Sequence, residues 1–408
     1  MDSDSGPGGM RDAGPGMDHL AVVALTLMLG GSVIALVGQH TAAQAGPAIV
    51  LSLLLAALGT GPLLYCLHIL GQQLPAADGL HGLLQARWGS APAGLLGGAL
   101  LAELVATSAG VAQSMASHMH ALLVSAGIEA GNAMPVALTA TLGLLLLGVT
   151  VLLLPRRAAL VACALLTVKL GTGLLLLALA ARHVHYALWI PWLPEATAPY
   201  RFGPGGVLAA SVPLLGVFAC AGLVLGFPGM CGQARARQTL LLAGVLLLAM
   251  LLLIALAALQ AGLVEFPALA STRPLSMALQ QHPQLQWMMP LLPLAGAAGL
   301  AALLLVLLRV AARLAVQLWT AARDAAPGST APMMRVVVVL SAALLALAMP
   351  MGTLPVLPGP ATLLVMAALC VAVLRAQVPL PRAVPVLAPL AAALCLLAAV
   401  ERMRAWPG

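Results

Sequence analysis

Charge is what this sequence has least of. Charged residues make up 7% of its 408 residues against 62% hydrophobic ones, which excludes a soluble fold, because a soluble surface of this size needs far more polar side chains. Lysine is scarcer still: one of the 18 basic residues, Lys169, is a lysine and the rest are arginines. No H-E-x-x-H, G-x-S-x-G or G-K-[ST] run occurs, so nothing points to hydrolysis or ATP-driven pumping, and the chain does not read as an enzyme. Cys66, Cys163, Cys220, Cys231, Cys370 and Cys395 show no C-x-x-C spacing and read as small apolar packing residues rather than metal ligands or disulfides. The H-x-H pairs His118/His120 and His183/His185 have no third ligand near them in sequence, so no metal site or cofactor is expected. The polar, Gly-rich start MDSDSGPGGMRDAGPGMD lacks a basic-then-apolar pattern, so no cleavable signal peptide is expected.

What is there is long apolar sequence. Reading breaks at Pro, Gly and charge clusters predicts eleven helices, near 20–43, 46–70, 92–124, 134–154, 157–182, 207–228, 237–263, 288–322, 333–354, 359–376 and 383–400. Apolar runs of this length cross a hydrocarbon core of about 30 Å, and backbone in lipid must satisfy its own hydrogen bonds, so the fold class is an all-α polytopic membrane bundle. With a cytoplasmic N-terminus, Arg11, Arg87, Arg156, Arg157, Arg235, Arg237, Arg309, Arg313, Arg323, Arg335, Arg375 and Arg382 face inward, and Arg182, Arg201 and Arg273 outward. That asymmetry obeys the positive-inside rule. It also assigns the net charge of +7 to orientation in a lipid bilayer rather than to nucleic acid. Trp88, Trp189, Trp192, Trp287 and Trp319 fall near helix ends, where an indole buries its ring and keeps its N–H wet. Arg402 and Arg404 break the pattern: an eleventh span would put them outside.

Two spans carry a break. The first contains Gly30-Gly31-Ser32 and the sixth Gly222 followed by Gly226-Phe227-Pro228-Gly229, places where a backbone leaves helical geometry. Interrupted helices in corresponding positions of two halves point to the binding site of an inverted-repeat transporter. Close helix packing is the other reading of such glycines. Lys169 lies twelve residues past Arg157, about 18 Å along a helix and so near mid-bilayer, where a charge costs roughly 3 kcal/mol or more and reads as functional. The alternative is a side chain that snorkels to an interface. Glu103, eleven residues or about 17 Å past Pro92, reaches a similar depth. It either shares a polar cavity with Lys169 or bonds to a neighbouring helix as a protonated carboxyl.

These residues resemble a family. GGSVIALVGQHTAAQAGPAIV (30–50) is similar to the first-helix pattern G-A-G-I-F-V-L-T-G-x-A-A-x-x-A-G-P-A of the amino acid–polyamine–organocation superfamily, in its cationic-amino-acid-transporter-like branch. LLAELVATSAGVA (100–112) resembles its third-helix segment, and W-I-P-W-L-P (189–194) its W-x-P-F-x-P loop. GVFACAGLVLGFPGMCGQARARQTL (216–240) resembles its sixth helix, and RPLSMAL (273–279) and GPATLLVMAALCVAVLRAQVPLPRAVPVLAP (359–389) later elements, all in sequence order. The resemblance implies ten core helices in two inverted five-helix repeats, broken at helices one and six, with an amino acid held at mid-depth. The implied organisation is a cytoplasmic tail (1–18), a first repeat (19–182), an external loop (183–206), a second repeat (207–376) and an additional helix and tail (377–408). It implies that the amides of Gly30, Gly31 and Ser32 hold a substrate carboxylate and that carbonyls near Ala221, Gly222 and Leu223 hold its amino group. Glu103 falls in the substrate or coupling region. Lys169, in ALVACALLTVKL (159–170), matches the lysine that proton-coupled members carry where sodium-coupled ones bind an ion.

The departures redirect the reading. Val224 stands where the family has Asp, Cys231 and Gly232 replace an acidic pair, and Ser32 replaces a glycine. Arg313 keeps the family's spacing from Gly299, but Arg323-Asp324 falls late and a twelfth helix is not seen. Without those carboxylates a basic substrate lacks counter-charges. The expectation is therefore a multi-pass permease of the plasma (inner) membrane that moves small neutral amino acids by proton-coupled alternating access. The alternative is a degenerate relative that acts as a sensor or assembly subunit.

Overall fold

The computed structural model describes residues 17–31, 42–74, 77, 79–128, 134–153, 155–193, 195, 203–226, 234–265, 269, 274–323, 331–356, 359–375 and 380–404. Among them there is no strand. The main elements are α1 (Met17–Leu29), α2 (Ile49–Gln73), α3 (Gly79–Trp88), α4 (Ser90–Ser125), α5 (Val136–Leu153), α6 (Pro155–Ala180), α7 (Gly203–Ala219), α8 (Ala234–Leu263), α9 (Pro274–Gln281), α10 (Leu291–Arg323), α11 (Ala331–Ala348), α12 (Pro360–Leu374) and α13 (Val384–Arg404). A 3-10 segment, Cys220–Gly226, continues α7. Among the described residues eight helical stretches are long and apolar enough to cross a membrane, and α1, α5 and α12 contribute shorter apolar ones. The chain is a multi-pass membrane bundle.

Two five-helix sets, α1, α2, α4, α5, α6 and α7, α8, α10, α11, α12, form the inverted repeat. The pairing carries its symmetry: α1 packs on α8 as α7 packs on α2, α4 crosses α10, and α5 meets α11. Burial separates centre from rim. In α10 67% of the most apolar stretch is buried within the protein, whereas in α6 it is 22%, with Leu160 and Leu174 exposed where lipid would cover them. Lipid gives no hydrophobic drive between helices, so close approach through small residues does that work. A Cβ on Gly148 would lie 2.5 Å from Val339, and one on Gly143 2.7 Å from Met115.

The structure adds two helices to the eleven expected spans. One of them, α3, is ten residues long, too short to span, and it packs across the bundle end where α2 stops and α4 begins. Its link to α4 is the single residue Gly89, whose φ of 85° is a left-handed conformation that glycine adopts without a side-chain clash. Arg87 donates to Gln73 Oε1 at 2.9 Å and to the Arg375 carbonyl at 3.2 Å, and Trp88 Nε1 donates to the Ala368 carbonyl at 3.2 Å. The Arg375 guanidinium lies 3.9 Å over the Trp88 ring. The second addition, α9, lies before α10 and is likewise too short to span.

His81 of α3 is 4% exposed, beneath Gly97 and Leu318, and neither ring nitrogen has a hydrogen-bond partner. Burial holds its pKa below the usual range, and the Ala93 carbonyl opposes that only in part. A base whose folded-state pKa is depressed binds fewer protons folded than unfolded, so its contribution is intact above about pH 6.5 and is lost as pH falls. Thermal unfolding of the purified protein should therefore show a falling Tm from about pH 7.5 to about pH 5.5, with a flatter slope for His81→Leu. Equal slopes for the two proteins would assign the effect elsewhere.

Candidate functional site

Lys169 sits on α6 and turns inward, with 7% of its surface exposed. The snorkelling alternative is excluded by its contacts: Nζ donates to the carbonyl of Leu29 and, at 2.6 Å, to that of Gly30. α1 stops at Leu29, so the amine meets the carbonyls at the C-terminal end of that helix. The Gly30 amide closes the last helical bond, to the Thr26 carbonyl at 2.7 Å. The amine thus sits at the negative end of the helix dipole, where a cation is favoured. Space for the amine comes from α10: a Cβ on Gly299 would overlap Lys169 Cδ and come within 2.8 Å of Nζ and 3.0 Å of the Gly30 carbonyl. Gly30 is thus brought to Lys169; Gly31, next to it in the chain, is buried, and Ser32 lies outside the described residues.

The second break is a 3-10 segment rather than an uncoiled stretch, so its i to i+3 bonds occupy carbonyls that unwinding would free. Cys220 donates its thiol to the Gly216 carbonyl at 3.0 Å. Ala221 and Leu223 are fully buried, and a Cβ on Gly222 would lie 2.5 Å from Met366 Sδ and 3.2 Å from Leu67. The segment packs directly on α1, which puts the two breaks side by side. Phe227, Pro228, Gly229, Cys231 and Gly232 lie outside the described residues.

Glu103, on α4, is 9% exposed and does not pair with Lys169. Its Oε2 accepts the Ala361 amide at 2.5 Å; its Oε1 accepts the Thr362 amide at 3.0 Å and the Thr362 hydroxyl at 2.5 Å. These amides open α12, whose first residue, Pro360, has none to satisfy. The carboxyl group is therefore an N-cap supplied by another helix. Arg402 of α13, expected on the outer tail, instead lies beside Gly216, within electrostatic reach of Glu103 and Cys220. Glu401 is a second acidic residue in a helix long enough to span, since α13 runs to Arg404 and ends in an exposed Glu401–Arg404 pair at 3.0 Å.

Sequence reasoning missed Gly299, Thr362 and Arg402. The Gly-Pro-Ala-Thr run at 359–362 was the usable signal, because Pro at a helix start announces amides that need a cap. The structure brings His282 to the H-x-H pair His183/His185, with ring centroids 5.3 and 6.5 Å from it. Among the described residues no group of three or more His, Cys, Asp or Glu side chains is placed to hold a metal ion.

No family model matches the chain, and no curated protein matches it by sequence. Solved structures do resemble it. One is MhsT in complex with L-phenylalanine, at a TM-score of 0.62 and 13% identity, covering 97% of this chain and 99% of that one. Another is the H236A mutant of the Eremococcus coleocola manganese transporter, at a TM-score of 0.60 and 15% identity, covering 94% and 85%. At these identities the likeness is one of fold.

Removing the Glu103 cap leaves buried amides without acceptors. Glu103→Ala should lower stability by roughly 1–3 kcal/mol in thermal unfolding, and Glu103→Gln by less because it keeps one acceptor oxygen. Wild-type stability in both variants would show that the cap contributes nothing.

Proposed function

We propose that this chain is a secondary transporter of small neutral amino acids, working by proton-coupled alternating access in the plasma (inner) membrane with its N-terminus cytoplasmic. The observation that carries the reading is the Lys169 ammonium docked on the carbonyls that end α1, next to the second helix break. A protonated amine there makes charge-assisted bonds to the end of α1; a neutral one gives up that charge and loosens α1 from α6 and α10. Proton binding is thereby converted into the position of a helix that borders the proposed substrate site. The proton is the coupling ion, and the reading requires no resident cofactor.

In this reading the amides of Gly30, Gly31 and Ser32 receive the substrate carboxylate, and carbonyls of Ala221, Gly222 and Leu223 its amino group. Glu103 serves by fixing α12 against α4, its oxygens already committed to Ala361 and Thr362. Of the ligands that the structural neighbours' titles name, an amino acid suits these residues better than a divalent metal. Lys169 already holds the carbonyls with a positive charge, and a metal ion would be repelled by it. Val224, buried where a carboxylate would favour a basic side chain, supports a neutral substrate. A non-transporting sensor is the second reading, and one observation favours it: Met366 and Leu67 close over Gly222.

Uptake of labelled neutral amino acids into proteoliposomes should rise under an inward proton gradient. Lys169→Ala should reduce that gradient-driven uptake by roughly 5- to 150-fold, the span of ordinary coupling energies. Intact driven uptake in the variant would remove Lys169 from coupling. Substrate-induced thermal stabilisation without counterflow in the wild type would select the sensor.

A further inference from the structure

We propose that Gly299 is the positioning residue for Lys169: its missing side chain is the slot that seats the amine on the carbonyls of Leu29 and Gly30. The inference rests on the coupling role of Lys169 given above, but the seat itself stands on contacts alone. Three backbones or side chains meet at this point. From α10, a Cβ on Gly299 would overlap Lys169 Cδ and lie 2.8 Å from Nζ. From α1, a Cβ on Gly30 would lie 2.8 Å from Leu303 Cβ and 3.1 Å from the Gly299 carbonyl. Both partners are thus held to glycine by the same contact, and a methyl group at 299 and a seated Lys169 exclude one another.

The amine's surroundings make the seat selective for charge state. Its hydrogen-bond partners are the two carbonyls, and α1 carries no titratable residue from Leu20 to Gly30. α5 carries none at all, and on α8 the charged residues are Arg235 and Arg237 at its first turn. On α10 the charged groups, Arg309, Arg313 and Arg323, begin more than two turns beyond Gly299. From α4, His118 packs over Gly296, one turn away on the other side. Among the described residues the slot therefore presents acceptors and no counter-ion, so what it binds best is a protonated amine, held by geometry rather than by an ion pair.

Because Lys169 is the chain's one lysine, its position can be read chemically. Reductive methylation of the purified full-length protein, followed by mass spectrometry, reports on Lys169 with the N-terminal amine as internal reference. In Gly299→Ala the displaced amine should be methylated faster by roughly ten- to a hundred-fold, the shift that overpacking of a close contact produces. Gradient-driven uptake should fall while counterflow persists. Unchanged labelling in a folded variant would overturn the seat. Faster labelling with driven uptake intact would uphold the seat and overturn the coupling reading instead. Should Gly299→Ala fail to fold, the double variant Gly299→Ala/Lys169→Ala decides: recovery of a folded protein upholds the collision with Lys169, and equal failure overturns it.

Discussion

A helix that stops inside a low-dielectric interior strands several carbonyls at one end or several amides at the other, and water is not there to take them. This protein has two such helix ends and meets the carbonyl end with a donor and the amide end with an acceptor. Lys169 covers the carbonyl end of α1, and Glu103 covers the amide end of α12. The two helix ends are met by side chains brought from α6 and α4. Each of these buried polar groups has a helix terminus as its hydrogen-bond partner.

That arrangement separates two kinds of buried charge. The three donors on Glu103 come from α12 itself and leave its oxygens occupied, which makes it an anchor between the repeats. Lys169 instead donates to the carbonyls of Leu29 and Gly30 where α1 ends, and in the function proposed above its hold depends on its proton. Small residues complete the design. Lipid does not press helices together, and the contact between α1 and α10 closes because Gly30 and Gly299 let the backbones approach.

The burial of Lys169 and Glu103 inside the bundle was legible in the sequence because each stands well within a long apolar helix. Their partners were not. An inferred Lys169–Glu103 cavity treats both as free charges, whereas the true partners depend on where α1 ends and where α12 starts, at Leu29 and Pro360. The first of those ends is invisible to hydrophobic patterning, since the sequence stays apolar through it. The spans themselves were readable because lipid imposes length and polarity on them. The helix α3 was not, because a ten-residue element lying across the bundle end obeys neither constraint. Gly299 was hidden for a simpler reason: one small residue in an alanine- and leucine-rich helix carries no signal until its neighbour is known.

The hold of α3 on its neighbours ties the two five-helix sets together at one end. Arg87 and Trp88 tie it at once to the end of α2, in the first repeat, and to α12, in the second, and it packs on α4, to which Gly89 connects it. It is a tie-rod across the seam with a swivel at one end. Displacing α2 from α12 must stretch or release that rod, so the seam at this end is fastened by the side chains of Arg87 and Trp88.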